Sequence, residues 1–241
     1  MLAVSRDGDV VTIELQRPER RNALNEELVA ALQEAVTTAA ADARVIVLTG
    51  QGSVFSAGAD LTGVYSMPFL DGLRAMLRTI ESLPVPVIAA VNGGAVGAGV
   101  QLAMASDLRV MSPDSYLAIP AAKLGITVDG WTVRRLVSLI GGGPARTVLL
   151  GADTVSAADA YTFGFANRIG TLADAQAWAK SIAELAPLSL RHLKLVLNDD
   201  GTRDDASPEQ AEALQAAWLS ADAQEARQAR AEKRAAKFEG R

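Results

Sequence analysis

Two runs, Val45-Ile46-Val47-Leu48-Thr49 and Val85–Val91, are apolar along almost their whole length rather than at alternate positions. A strand that faces water on one side alternates apolar with polar residues. An unbroken apolar strand belongs in a sheet covered on both faces. The covering layers can be read around the two runs. Glu26–Ala41 places Leu28, Ala31, Leu32 and Ala35 on one helical face, and Leu70–Leu83 is a second amphipathic stretch stopped by Pro84.

The remaining segments extend the pattern. Asp7-Gly8-Asp9 separates Leu2–Ser5 from Val10–Leu15 and reads as a hairpin turn. A glycine- and serine-rich loop runs from Gly50 to Asp60. After Val91 comes a turn of small residues, then a helix that opens on glycines and ends near Asp107. Leu108–Met111 and Tyr116–Ile119 read as strands. From Gly130 onward the pattern is almost wholly helical, with turns at Gly141-Gly142-Gly143-Pro144, Gly170, Pro187 and Asn198–Ser207, the last an acidic, solvated loop. Strands alternating with helices, followed by a helical tail, indicate an α/β core with an α-helical C-terminal region. No repeat and no long linker divides the 241 residues.

A formal net charge of −5 argues against general affinity for nucleic acid or anionic membranes. With no cysteine, disulfides and thiolate chemistry are excluded, and the single histidine, His192, reads as a surface residue on a C-terminal helix rather than part of a triad or metal cluster. No metal is expected. The N-terminus carries no signal pattern, and the longest apolar stretches are too short or too glycine-broken to span a bilayer, so the expected location is cytoplasmic.

Three segments carry chemistry. They are Leu15-Gln16-Arg17-Pro18-Glu19-Arg20-Arg21-Asn22-Ala23-Leu24-Asn25, Phe55-Ser56-Ala57-Gly58-Ala59-Asp60-Leu61, and Pro86–Asp107, which contains Asn92-Gly93-Gly94-Ala95-Val96-Gly97-Ala98-Gly99-Val100-Gln101. In type, order and spacing they resemble the signatures of the enoyl-CoA hydratase/isomerase (crotonase) superfamily, from about Val10 to the C-terminus. The resemblance implies a crotonase-like (ClpP/crotonase) ββα spiral core over residues 1–185 and a C-terminal helical trimerisation region over 186–241, together one continuous family unit. It also implies a homotrimer or hexamer, acyl-CoA as ligand or substrate without a further cofactor, and association with another enzyme of fatty-acid metabolism.

A thioester carbonyl that gathers charge as an enolate needs two convergent backbone N–H donors, with small residues around them so that the amides can be reached. Ala59 and Ala98 match the family's donor positions, with Ala98 in the first turn of a helix whose positive end faces the oxygen. At the CoA end, Ala23 and Ala57 match backbone contacts to the nucleotide, and Arg20, Arg21 and Lys233 are the candidates for its phosphates. A basic residue common in relatives is Thr62 here. Tyr65, Met67, Phe69, Met76 and Trp131 are candidates to line an acyl channel, although apolar residues scattered on a helix are more often core. Lys123 aligns near the pocket entrance and reads as surface charge.

Two residues of the hydratase pattern are missing. Hydration of a 2-enoyl thioester divides water activation and proton delivery between two glutamates, and their positions are held by Gln101 and by Ala121, which follows Pro120. Each well-placed acid–base group contributes about 10²–10⁴-fold, so efficient hydration is not expected. Asp129 stands where some superfamily isomerases and dehalogenases place a catalytic aspartate, and it reads equally well as a helix N-cap before Gly130–Leu139. The leading expectation is an acyl-CoA-binding protein without efficient hydratase turnover. The alternative is an isomerase or related acyl-CoA enzyme using Asp129 alone.

Overall fold

The computed structural model describes residues 1–60, 66–199, 201 and 208–238. They group into two compact units, Met1–Ala118 with Val155–Asp200, and Ile119–Thr154 with Gly201–Arg241.

The first unit begins with β1 (Leu2–Asp7), β2 (Val10–Leu15), α1 (Glu26–Ala39), β3 (Val45–Gly50) and β4 (Val54–Ser56). It continues through α2 (Met67–Ser82), β5 (Val87–Val91), β6 (Gly94–Val96), α3 (Ala98–Ala105), β7 (Leu108–Met111) and β8 (Tyr116–Ala118). In the second unit come α4 (Gly130–Ile140) and α5 (Gly142–Leu149). The chain then returns to the first unit with β9 (Thr154–Ser156), α6 (Ala157–Thr162), β10 (Arg168–Ile169), α7 (Leu172–Ala183) and α8 (Pro187–Leu197), and ends in the second with α9 (Pro208–Leu219) and α10 (Ala221–Ala231).

The main sheet has the order β1-β2-β3-β5-β7-β10. Only the β1–β2 hairpin is antiparallel, closing on Gly8-Asp9 with Gly8 at φ +60°. The other pairings are parallel. Every residue of β3 and β5 is buried, as their unbroken apolar sequences require. Successive side chains of a strand point to opposite faces. Val10, Val45, Val47, Ile88, Ala90 and Val110 accordingly form one cluster with Ala175, Ala179 and Ile182 of α7. On α1 the buried line is Leu28, Leu32, Val36 and Ala39, while Ala31 and Ala35 are only half-buried.

A second sheet, β4-β6-β8-β9, is built from strands of three residues each. Neither β4 nor β6 is legible in the sequence, where both lie in glycine- and serine-rich stretches. They pair because glycine permits close backbone approach: a Cβ on Gly93 would lie 2.0 Å from the Ser53 carbonyl oxygen. The C-terminal half likewise holds β9 and β10 where an almost wholly helical pattern is predicted.

The helix α8 is anchored by a buried cation. Lys194 is 5% exposed, and its Nζ sits 2.8 Å from Asp107 Oδ2 while donating to the Ile80 and Val85 carbonyls at 3.0 Å each. Asn198, predicted within a solvated loop, is buried and donates to the Glu81 carbonyl at 2.9 Å. Of the predicted loop, Asp200 and residues 202–207 lie outside the described residues. His192 is exposed on α8, as the sequence suggests.

Candidate carbonyl-binding site

The site is built on a turn that the sequence alone does not reveal. After a short 3-10 turn at Pro18–Arg20, Arg21 and Asn22 take φ values of 51° and 54°, in the left-handed region that L residues rarely occupy. Asn22 is fully buried, and its side chain holds the turn to the next loop. Its Oδ1 accepts from Arg17 N at 3.0 Å, and its Nδ2 donates to the Gln51 and Val54 carbonyls at 3.0 and 2.7 Å. Ser56 Oγ donates back to the Asn22 carbonyl at 2.8 Å and accepts from Gly58 N at 3.3 Å. Arg17 reaches across to Asp60 Oδ2 at 3.2 Å and to the Ala23 carbonyl. Sequence reasoning quoted these four side chains within motifs and gave none of them this bracing role.

The bracing sets one amide free. Leu24 N donates to the Gly58 carbonyl at 2.8 Å, and Asp60 N donates to the Leu24 carbonyl at 2.7 Å, an isolated parallel bridge of Leu24 with Ala59. In an extended chain, adjacent peptide groups point to opposite sides. The residues flanking Ala59 therefore bond to Leu24, and the Ala59 N–H points the other way, with no hydrogen-bond partner among the described residues.

The second amide comes from the start of α3. Gly97, at φ +52° and ψ −114°, turns the chain out of β6 into the helix, a conformation that side chains disfavour. Its own N–H is taken by the Ala118 carbonyl at 2.9 Å. The Ala98 N–H is in the first turn, where no intrahelical acceptor exists, and it has no partner among the described residues. The two segments touch. A Cβ on Gly58 would lie 3.4 Å from Ala98 N, and one on Gly99 would lie 2.5 Å from the Ser56 carbonyl oxygen. At its other end α3 is held by buried Arg109, which donates to the Ser106 and Ala103 carbonyls at 2.7 and 3.3 Å. Two N–H groups without an acceptor among the described residues, one at the positive end of a helix, are donors of the kind that can receive a carbonyl oxygen and stabilise charge that develops there.

Gln101 lies three residues after Ala98, on the same face of α3 and half-buried. Glutamine can hydrogen-bond but has no useful basicity. Ala121 and Asp129 belong to the second unit. Ala121 caps a 3-10 turn, Ala122–Leu124, with its carbonyl accepting from Leu124 N and Ile126 N. Asp129 is the N-cap of α4, its Oδ1 accepting from Thr132 N at 3.0 Å and Thr132 Oγ1 at 2.5 Å. The cap reading of Asp129 is thus realised in full.

Arg20 and Arg21 are exposed, and neither guanidinium has a partner among the described residues. Ala23 N donates to the Arg20 carbonyl at 3.1 Å and Ala57 N to the Arg21 carbonyl at 2.9 Å. Three of the predicted CoA residues, Arg20, Arg21 and Ala23, therefore lie on one braced turn, and Ala57 is hydrogen-bonded to it. Lys233 follows α10 in the second unit. Lys123 donates to the Ala152 carbonyl at 2.8 Å. Phe69 and Met76 are buried, 2% and 0% exposed, whereas Met67 is exposed and Trp131 half-buried. Thr62 and Tyr65 lie outside the described residues. Among those described, no cluster of acidic or histidine side chains could hold a metal ion, and no helix is long and apolar enough to cross a membrane.

The sequence model described as enoyl-CoA hydratase/isomerase matches residues 5–241. The chain is 51% identical over 246 residues to the probable enoyl-CoA hydratase echA6 of Mycobacterium leprae, with the whole of both chains covered. Among solved structures, a methylmalonyl-CoA decarboxylase in complex with 2-nitronate-propionyl-CoA is similar at a TM-score of 0.91 and 26% identity, covering 100% of this chain and 98% of that one. An enoyl-CoA hydratase/isomerase from Pseudoalteromonas atlantica is similar at 0.85 and 27% identity, covering 99% of each. The fold is crotonase-like.

Proposed function

The chain belongs to the enoyl-CoA hydratase/isomerase family, and from that premise we propose that it binds fatty acyl-CoA thioesters and hydrates 2-enoyl thioesters weakly or not at all. The observation that carries this reading is a pair of backbone amides, Ala59 and Ala98, without an acceptor among the described residues, with Gln101 one turn on from Ala98. The amides are what a thioester carbonyl requires. Glutamine and alanine at the two glutamate positions leave hydration without a base or an acid. Asp129 as a lone acid–base group, the isomerase alternative, is less well supported, because one of its oxygens is committed to capping α4.

The test is incubation of the protein with saturated, 2-enoyl, 3-enoyl and dienoyl-CoA esters, followed by desalting and chromatography with mass detection. Retained, unconverted thioester is the expected result. Rapid hydration would refute the reading, and a shifted double bond would transfer it to Asp129. Failure to retain any acyl-CoA would end it.

A second reading is favoured by the structural likeness to a methylmalonyl-CoA decarboxylase. Loss of CO2 from a 2-carboxyacyl thioester needs no base. The breaking C–C bond leaves its electron pair as the enolate, which the two amides stabilise, and a proton from water completes Cα. A neutral Gln101 would not repel the substrate carboxylate as a glutamate would. Loss of CO2 from malonyl- or methylmalonyl-CoA in the same assay would establish this activity.

Self-association is part of the proposal. Leu188 and Leu197 of α8 are 78% and 71% exposed, and Leu193, Leu195 and Val196 are also exposed, an apolar surface of the kind that subunit contacts cover. Light scattering at a trimer or hexamer mass is expected, and a monomer would refute it.

A further inference from the structure

Ser56 is fully buried at the end of β4, where an apolar residue would pack as well. A buried hydroxyl is costly unless its hydrogen bonds are made, and Ser56 makes two. Its Oγ donates to the Asn22 carbonyl at 2.8 Å and accepts from Gly58 N at 3.3 Å. The first bond depends on an unusual backbone. Arg21 and Asn22 are both left-handed, and their successive carbonyls meet the same loop, that of Arg21 accepting from Ala57 N at 2.9 Å. In an extended chain the two carbonyls would point to opposite sides.

The second bond acts on the residue before Ala59. Gly58, at φ +92°, joins two peptide planes. The plane that follows it contains the Gly58 carbonyl and the Ala59 N–H, which point in opposite directions in a trans peptide. Leu24 N holds that carbonyl at 2.8 Å, so the Ala59 N–H is aimed away from Leu24. The plane that precedes it contains the Gly58 N–H, which Ser56 Oγ holds. Both dihedrals of Gly58 are thereby fixed, although glycine has the most backbone freedom to lose. Ser56 also lies against the segment of the other donor. A Cβ on Gly99, the residue after Ala98, would lie 2.9 Å from Ser56 Cβ and 2.5 Å from the Ser56 carbonyl oxygen.

We infer that Ser56 is a positioning residue for the carbonyl pair: its hydroxyl relays the left-handed Asn22 turn to Gly58 and so holds the Ala59 N–H in register with that of Ala98. The inference rests on the acyl-CoA reading above and deepens it. Selection of a ligand by its carbonyl depends on a buried side chain that acts only through the backbone it braces.

The test is Ser56→Ala, which keeps the Cβ packed against α3 and removes the hydroxyl alone. Two quantities are measured: the calorimetric affinities for a saturated acyl-CoA and the matching S-alkyl-CoA thioether, and the infrared stretch of the bound thioester carbonyl, isotope-labelled at that carbon. Donors aimed at the oxygen polarise the carbonyl and lower its stretch. In Ser56→Ala the stretch is expected to move toward that of the free thioester. The preference for acyl-CoA over thioether should fall about two- to tenfold, up to the worth of one neutral hydrogen bond, with thioether affinity unchanged. Ser115→Ala is the control, because its buried hydroxyl likewise donates to a carbonyl, that of Ser112 at 2.7 Å, in the turn between β7 and β8. It should lower stability and leave both stretch and preference at their wild-type values. Asn22→Gly reaches the relay from its other end. Glycine adopts the left-handed turn without strain but lacks the amide that ties residue 22 to Arg17, Gln51 and Val54, so the same two changes are expected. The double variant should lose no more preference than the larger of the single losses. A wild-type stretch and preference in Ser56→Ala overturns the inference, as does an equal loss of both ligands, and losses that add in the double variant overturn the relay. A wild-type protein that binds neither ligand, or binds both equally, would instead refute the acyl-CoA reading itself.

Discussion

Substituting Gly58 by alanine is the sharpest perturbation of the paired amides. A Cβ on Gly58 would lie 2.6 Å from the Val96 carbonyl oxygen, and Gly58 sits at φ +92°. Backbone must open by about 0.8 Å before the contact becomes ordinary, enough to carry a donor from about 2.9 Å to beyond hydrogen-bonding reach. The same loop carries Ala59, so the loss falls on the carbonyl and not on the rest of the ligand. In the wild type, two neutral hydrogen bonds contribute about 1–3 kcal/mol, a preference of roughly 5–150-fold for an acyl-CoA over the matching S-alkyl-CoA thioether, which has no carbonyl. In Gly58→Ala that preference is expected to fall toward parity while thioether affinity stays near its wild-type value. Left-handed strain of about 1–2 kcal/mol should also lower the melting temperature, by roughly 2–4 °C per kcal/mol. Gly8→Ala is the control, because Gly8 is also left-handed but an added Cβ there meets nothing within 4 Å. It should cost stability and leave the ligand preference intact. If Gly58→Ala retained the wild-type preference, or lost both ligands equally, the assignment of Ala59 and Ala98 as a carbonyl pair would be wrong.

Gln101→Glu combined with Ala121→Glu is expected to raise hydration of a short 2-enoyl-CoA by at least about 10²-fold over wild type, followed by product chromatography. No gain would mean that the family spacing does not carry over to these positions. Asp129→Ala should lower stability by about 1 kcal/mol, with Asp129→Asn nearly neutral and acyl-CoA affinity unchanged in both. A loss of affinity on either substitution would give Asp129 a role beyond its cap. Lys194→Met removes a buried cation and leaves half-buried Asp107 with the Val87 N–H alone, and should cost about 2–3 kcal/mol in a urea titration, a loss below about 1 kcal/mol counting against the buried anchor of α8. Glu225 has a folded pKa of about 2 against an ordinary 4.5, so its ion pair with Arg234 contributes stability that is fully present above about pH 4.5 and is lost as pH falls to about 2, where the pair itself is protonated. The amide proton shift of Lys237 should report that loss, and a flat titration would contradict it.

The sequence disclosed the elements whose side chains are their own signal. Unbroken apolar runs announce buried strands: β5 lies within its predicted run and β3 extends one residue beyond its own, because a covered sheet accommodates such residues. The strands β4 and β6 give no such signal. They exist because Gly93 and Gly99 let backbones approach to distances that a Cβ forbids, and pairing of that kind is a tertiary event. The Asn22 hub is hidden for a similar reason: its five-residue reach to Arg17 and its bonds to Gln51 and Val54 depend on two consecutive left-handed residues, neither of them glycine. The same holds for Lys233, whose position after a helix is ordinary for a lysine in sequence and unusual only in backbone angle.

That division explains how, on the proposed reading, a carbonyl site can stand without an acid–base pair. The two donors are backbone amides. Ala59 is aimed by its bridge to Leu24, and Ala98 by the glycine turn into α3. Both depend on contacts that also hold β4 against β6 and close the Asn22 network, so losing the donors would damage the fold. A glutamate at residue 101 or 121 would act through side-chain atoms alone. The α3 backbone needs no carboxylate at 101, and the 3-10 turn at Ala122–Leu124 needs none at 121. On the proposed reading, a chain without both groups loses little of its fold and almost all of its hydration, while the carbonyl donors are untouched.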